Sequence, residues 1–141
     1  MRSFDQLLDT LRPTDRPGTF AIEIGPQWTQ GRTIFGGLSA ALGVRAIKNI
    51  LQSQGDSRPL ASIDVGFVGP APPGEIVVRA EVLRAGRSVI QASADVCSGG
   101  EIATRIHAVF AAPRPTEEIL FRETSRRRIG PIFRLTVSGN F

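Results

Sequence analysis

The chain has 141 residues, enough for one domain built around a single hydrophobic core. A single cysteine and a single histidine exclude a disulfide framework and a metal cluster. The net charge of +4 is concentrated in residues 114–141, which hold six Arg against three Glu, so no nucleic-acid partner is expected. No apolar signal core lies in the first thirty residues, which predicts a cytoplasmic protein without a membrane partner.

A short helix and one strand are predicted near the N-terminus. Apolar residues recur at helical spacing across residues 4–11, and Pro13 ends that pattern. Residues 19–24 alternate in the manner of a half-buried strand, and a Gly-Pro pair follows them. The region is therefore expected to contribute one helix and one strand to the domain.

A glycine pair, Gly36 and Gly37, precedes a segment that is small and apolar on nearly every side. Ten of the fourteen residues from 38 to 51 are Leu, Ala, Gly, Val or Ile. A helix of this kind must be enclosed by protein or lipid, and the charges of Arg45 and Lys48 exclude a membrane span. We predict a buried central helix over about residues 37–53.

Strand-like segments follow this helix at residues 61–68, 75–84, 88–97 and 101–111. Short glycine-bearing loops between the last three predict an antiparallel meander. A curved antiparallel sheet wrapped around one helix is the α+β architecture called the hotdog fold. We expect this domain to span residues 1–113. Residues 114–141 would form a basic extension, with a short helix at 116–122 and an edge or swapped strand at 132–137.

Four motifs, in this order, resemble the acyl-CoA thioesterases of the hotdog superfamily. They are GRTIFGG at 31–37, IDVGFVGP at 63–70, LRAGRS at 83–88 and VFAAP at 109–113. The similarity is strongest to the amino-terminal half of the double-hotdog, medium- and long-chain enzymes. It implies that domains pair with joined sheets, here as a homodimer or higher homo-oligomer. It also implies an acyl-CoA or acyl-carrier thioester as substrate, with coenzyme A as part of the substrate and no other cofactor.

The glycine pair suits thioester chemistry on physical grounds. Backbone amides at a helix start lack intrahelical acceptors, and the helix dipole adds positive potential there. Such amides stabilise the oxyanion that develops when a thioester is attacked. Gly36 and Gly37 are therefore predicted oxyanion donors. The alternative is that both glycines only permit a tight turn and close helix-to-sheet packing.

The sequence identifies the catalytic carboxylate less directly. Many single-domain relatives carry Asp or Glu seven residues after the second glycine, where this chain has Val44. The resemblance then favours Asp64, a lone acid in the strand that carries the acid of the double-hotdog enzymes, about two positions out of register. The competing interpretation of Asp64 is a solvated residue or a dimer-interface hydrogen bond.

A Thr and a Gln complete the water-activating set in those enzymes, and the aligned positions here, near Leu83 and Ala108, retain neither. Polar residues on neighbouring strands are the candidate replacements: Ser88, Gln91 and Thr104. His107 alternates with residues of the outer face, so we expect it opposite the helix in an exposed or packing role.

Substrate-binding candidates lie beside the glycine pair and in the tail. Those beside the pair are Trp28, Gln30, Phe35 and Leu38, although Trp28 also suits a core or interface anchor. In the tail, Arg126, Arg127 and Arg128 suit the phosphates of coenzyme A through paired guanidinium donors. A solvated basic tail is the alternative.

These residues predict hydrolysis of acyl-CoA-type thioesters by carboxylate-activated water. The second hypothesis is a non-catalytic acyl-thioester-binding or assembly domain. The third is a hotdog enoyl-CoA hydratase, but hydratases of that fold use an Asp and a His in a short loop motif, whereas Asp64 and His107 lie on separate strands.

Overall fold

The computed structural model of the protein describes residues 2–112 and 134–139. In these residues, two helices, α1 (Phe4–Leu8) and α2 (Gly36–Ser53), accompany nine strands, and a 3₁₀ turn, Pro26–Trp28, precedes β3. The strands are β1 (Arg12–Pro13), β2 (Thr19–Ile24), β3 (Thr29–Gln30), β4 (Thr33–Ile34), β5 (Leu60–Phe67), β6 (Gly74–Ala85), β7 (Val89–Ser98), β8 (Glu101–Ala111) and β9 (Arg134–Gly139).

The main sheet has the strand order β1-β2-β6-β7-β8-β5-β9. Every neighbouring pair is antiparallel except β5 and β9, which are parallel. The curved sheet holds α2 against β6, β7 and β8. The prediction of an α+β domain with one central helix in a curved antiparallel sheet is confirmed.

The core lies between α2 and the inner face of the sheet. Alternate residues of each strand point inward because successive side chains of a strand project to opposite faces. The buried residues of α2 include Leu38, Leu42, Ala46, Ile47 and Leu51, and the inward residues of the sheet include Ile76, Val78, Val96, Ile106 and Phe110. At Gly43 the helix comes so close to the sheet that a Cβ would collide with Ile106.

The N-terminal helix covers another side of α2. Leu7, Leu8 and Leu11 are buried in the same core, and Arg45 forms a 2.8 Å ion pair with Asp9. The helix is shorter than predicted and ends at Leu8. The next amides close tight turns, since those of Thr10 and Leu11 donate three residues back.

The four long strands after α2 begin and end within one residue of the predicted bounds. The β3–β4 pair was not predicted, because two-residue strands are too short to show an alternating pattern. The predicted C-terminal strand is present at Arg134–Gly139, two residues later than expected. The helix predicted at 116–122 and the arginines at 126–128 lie outside the described residues.

Candidate active site

A cavity of about 410 Å³ opens beside the first turn of α2, within the usual size of a small-molecule site. Its apolar wall consists of Ile34, Phe67, Val68, Pro70 and Ala71. The polar side chains along it are Gln30, Thr33, Ser39 and Thr104. No carboxylate or imidazole of the described residues lines this cavity.

Helix α2 begins at Gly36 without a side-chain cap, because the N-cap residue is Phe35. The amides of Leu38 and Ser39 both donate to the Phe35 carbonyl, at 3.0 and 3.3 Å. The amides of Gly36 and Gly37 have no acceptor among the described residues. Gly36 borders the cavity and Gly37 does not, so the helix presents one unpaired donor at the cavity wall and a second one next to it.

Close packing also requires these glycines. A Cβ on Gly36 would lie 2.7 Å from Cζ of Phe67, and one on Gly37 would lie 3.0 Å from Cε2 of Phe35. A side chain at position 36 would therefore displace the ring that forms the cavity wall. The glycines therefore have a packing role and also leave their amides unpaired, so the packing role does not exclude a role as oxyanion donors.

Two hydroxyl groups line the cavity from different elements, one from the sheet and one from α2. Thr104, a predicted site residue, points inward from β8 and is the cross-strand partner of Phe67. Ser39 comes from the first turn of α2. Ser39 was not predicted as a site residue, although it follows Gly36 by three residues and so shares its helical face.

Asp64, Gln91 and His107 lie together on the sheet face that points away from α2. The Nε2 atom of His107 is 3.1 Å from Oε1 of Gln91, and its Nδ1 atom is 3.8 Å from Oδ2 of Asp64. Both side chains of the pair are partly exposed, 40% for His107 and 44% for Asp64. The structure brings these three residues together but does not bring Asp64 or Gln91 to the cavity of the same chain.

The same outer face carries an ionic cluster centred on Asp95. Its carboxylate accepts hydrogen bonds of 2.8 and 3.1 Å from Arg105 and lies 3.8 Å from Arg79. These hydrogen bonds hold the pKa of Arg105 above its usual value. The face is therefore polar and internally paired, unlike the apolar wall of the cavity.

Three of the predicted substrate-binding residues lie beside the cavity and not along it. Trp28 and Phe35 stack with ring centroids 6.4 Å apart, and Phe4 packs against both at 6.2 and 6.1 Å. Leu38 is fully buried in the core. These side chains support the start of α2, and Gln30 is the residue of this region that lines the cavity.

Within residues 2–112 and 134–139, no three His, Cys, Asp or Glu side chains are grouped so that they could hold a metal ion. None of the helices in these residues has the length and hydropathy of a membrane span.

A central helix enclosed by a curved antiparallel sheet, with unpaired amides at its start, defines a hotdog domain of the thioesterase superfamily type. The chain belongs to the family described as the acyl-CoA thioesterase N-terminal domain, which matches residues 24–111. No curated protein matches the chain. Its correspondence to one half of a double-hotdog enzyme remains a prediction.

Solved structures share the fold at low identity. The zebra fish thioesterase superfamily member 2 is 21% identical, with a TM-score of 0.67 over 79% of this chain and 87% of that protein. A hotdog protein of unknown function from Alicyclobacillus acidocaldarius is 23% identical, with a TM-score of 0.65 over 81% of this chain. The chain spans only 41% of the length of that protein. A Bacillus halodurans protein solved with CoA is 20% identical, with a TM-score of 0.61 over 67% of this chain and 66% of its own.

Proposed function

We propose that the domain hydrolyses acyl thioesters of coenzyme A. The observation that carries this proposal is the unpaired amide of Gly36 at the wall of a largely apolar cavity of about 410 Å³. A thioester carbonyl placed there would receive the helix-terminal amides as the oxyanion develops, and each well-placed donor lowers the barrier by about 3 kcal/mol. Family membership and the solved relative that contains CoA support the choice of thioester.

The base in this proposal is Asp64 of a second copy in a homodimer. The Asp64 carboxylate faces away from the cavity of its own chain, and a side chain cannot change faces without a shift of strand register. It can therefore serve only a cavity that approaches the outer face, as a partner subunit would. The family resemblance implies paired domains with joined sheets and sites between the helix of one domain and the strands of the other.

A non-catalytic thioester-binding domain is the second candidate. It is favoured by one observation, the lack of a carboxylate or imidazole among the described residues that line the cavity. Such a domain would hold the acyl group against the same amides without activating water. The hydratase hypothesis has less support, because Asp64 and His107 are adjacent but face away from the cavity.

The experiment that separates the two candidates measures binding and thiol release on the same protein. Acyl-CoAs of graded chain length are offered to the wild-type chain, release of free coenzyme A is followed with a thiol reagent, and affinity is measured by calorimetry. Saturable release well above the uncatalysed rate supports hydrolysis. Tight binding without release supports the binding domain, and neither binding nor release rejects both.

A further inference from the structure

Ser39 and Thr104 are buried residues whose hydroxyl oxygens open into the cavity and have no hydrogen-bond partner among the described residues. Each side chain is 2% exposed, and both line the cavity. The nearby hydroxyl of Thr33 differs, since it accepts a 2.9 Å hydrogen bond from the amide of Ala71. A ligand that covers these hydroxyls and displaces water from them must offer a hydrogen-bond partner or leave them unpaired at a cost in free energy, so the pair points to a polar atom in the ligand.

The two hydroxyls lie close to the place where a thioester carbonyl would be held. Ser39 follows Gly36 by three residues, which is about 4.5 Å along the helix axis. Its Cα–Cβ bond tilts toward the helix N-terminus, which brings the hydroxyl back toward the Gly36 amide. Thr104 stands beside Phe67, whose ring packs against Gly36. An acyl chain whose carbonyl is held at Gly36 would therefore run close to these hydroxyls.

We propose that Ser39 and Thr104 select acyl thioesters with an oxygen on carbon 3, that is, 3-hydroxyacyl or 3-oxoacyl thioesters of coenzyme A. This inference rests on the proposed function, because it places the carbonyl oxygen at the Gly36 amide. The carbon-3 oxygen is then within one helical turn of that amide, where either hydroxyl can donate to it. A saturated chain would cover both hydroxyls and leave them unpaired.

The physical reason for selection is an asymmetry between the two kinds of chain. A hydrogen bond between a hydroxyl and a neutral oxygen contributes a modest net stabilisation, whereas a buried hydroxyl left without a partner carries the full cost of desolvation. Sites built to bind a substrate oxygen therefore reject the analogue that lacks it more strongly than hydrophobic pockets reject an extra methylene. Discrimination thus comes mainly from the cost imposed on the saturated chain.

The test compares two non-hydrolysable analogues in which a methylene group replaces the thioester sulfur. One is the analogue of butanoyl-CoA and the other that of 3-hydroxybutanoyl-CoA, and calorimetry gives their dissociation constants with the full chain. We expect the hydroxylated analogue to bind about tenfold more tightly. Ser39→Ala or Thr104→Val should each reduce that preference, and the double variant should abolish it. The control is Ser93→Ala, which removes a hydroxyl from the outer face of β7 and should leave the preference unchanged.

Thermal unfolding keeps this test interpretable. Neither hydroxyl makes a hydrogen bond within the described residues, so its removal should change Tm little and a folded double variant is expected. If it does not fold, Ser39→Ala alone must still reduce the preference. Equal affinity of the wild-type chain for both analogues, or a full preference in a folded double variant, would overturn the proposal. If the wild-type chain prefers the hydroxylated analogue but releases no thiol from true thioesters, hydrolysis is rejected and the proposed selection by Ser39 and Thr104 is retained. Thiol release without a preference for the hydroxylated analogue supports hydrolysis and rejects the selection.

Discussion

Asp64 and His107 are direct cross-strand partners on β5 and β8, and their Oδ2 and Nδ1 atoms lie 3.8 Å apart on the outer face of the sheet. The imidazole is also held at 3.1 Å from the side-chain oxygen of Gln91. The predicted base therefore has an oriented neighbour and lies away from the amides that would hold an oxyanion in the same chain. This separation makes the origin of the base the central mechanistic question.

The first prediction is that Asp64→Asn lowers thiol release by about 100-fold or more without weakening acyl-CoA binding. The amide keeps the size of the side chain and removes its capacity to accept a proton, and loss of a general base typically costs this much. Steady-state rates and calorimetric affinities provide the measurement. Glu81→Gln is the matched control because Glu81 is an exposed carboxylate on the same outer face. An equal loss in both variants would point to a general charge effect and not to a base.

The second prediction is complementation between two inactive chains. Asp64→Asn leaves the cavity intact, and Gly36→Val blocks it, because even a Cβ at this position would lie 2.7 Å from Phe67. If Asp64 acts on the cavity of its partner, a mixed dimer contains one complete site. Mixing the two chains, with exchange through mild denaturation, should then restore up to one quarter of wild-type activity per total dimer when assortment is statistical. Activity that stays at the level of the separate variants, in dimers shown to be mixed, would reject a base supplied by the partner.

The sequence predicted the fold better than it predicted the site, for a physical reason. Which residues are buried can be predicted from short stretches of sequence, since the apolar run of α2 and the alternation of β5 to β8 each specify which side faces the core. The same alternation placed His107 correctly on the outer face. A site depends instead on distances between elements, which local sequence does not specify. A shift of one residue in strand register would decide whether Asp64 or Val65 faces inward. The unpaired hydroxyl of Ser39 became recognisable only when β8 brought Thr104 to the same cavity.

The third prediction concerns the Asp56–Arg58 pair after α2. The Arg58 guanidinium donates to both carboxylate oxygens of Asp56 and to the carbonyls of Gly86 and Arg87, which ties two loops together. These hydrogen bonds hold the pKa of Asp56 below its ordinary value of 3.8. A lowered pKa stabilises the folded state above the unfolded value, and the effect is lost as pH falls through the folded value. We expect Asp56→Asn to lower Tm at pH 7, and the difference to disappear as pH falls well below 3.8 and the carboxylate is protonated in both states. A Tm difference that persists in acid would contradict the linkage.

The fourth prediction addresses the arginines at 126–128, which lie outside the described residues. Replacing all three with Gln should weaken binding of free coenzyme A at low salt, because arginine recognises phosphate through paired donors. The loss should shrink as ionic strength rises, since exposed charges are screened within about 8 Å at physiological salt. Calorimetry at two salt concentrations measures it. The control, Arg2→Gln with Arg12→Gln and Arg16→Gln, removes the same charge from the other end of the chain. Unchanged affinity of the tail variant at low salt would assign the cluster to solvation.

The last prediction is that β9 competes with dimer formation. Residues Ser62 to Phe67 of β5 pair with β8 on one side and, in parallel, with β9 on the other, so both edges of this part of β5 are occupied. The family resemblance implies joined sheets, and joining two copies edge to edge through β5 requires β9 to leave. A chain that ends at residue 113 would expose the backbone donors and acceptors of Ser62 to Phe67 that point toward β9, an edge that readily pairs with another strand. We therefore expect multi-angle light scattering to show tighter self-association for the shortened chain than for the full one. Ser62→Lys in the shortened chain should reverse the change, because a lysine on an edge strand opposes pairing. A shortened chain that folds and associates no more strongly than the full chain would show that dimers form through another surface.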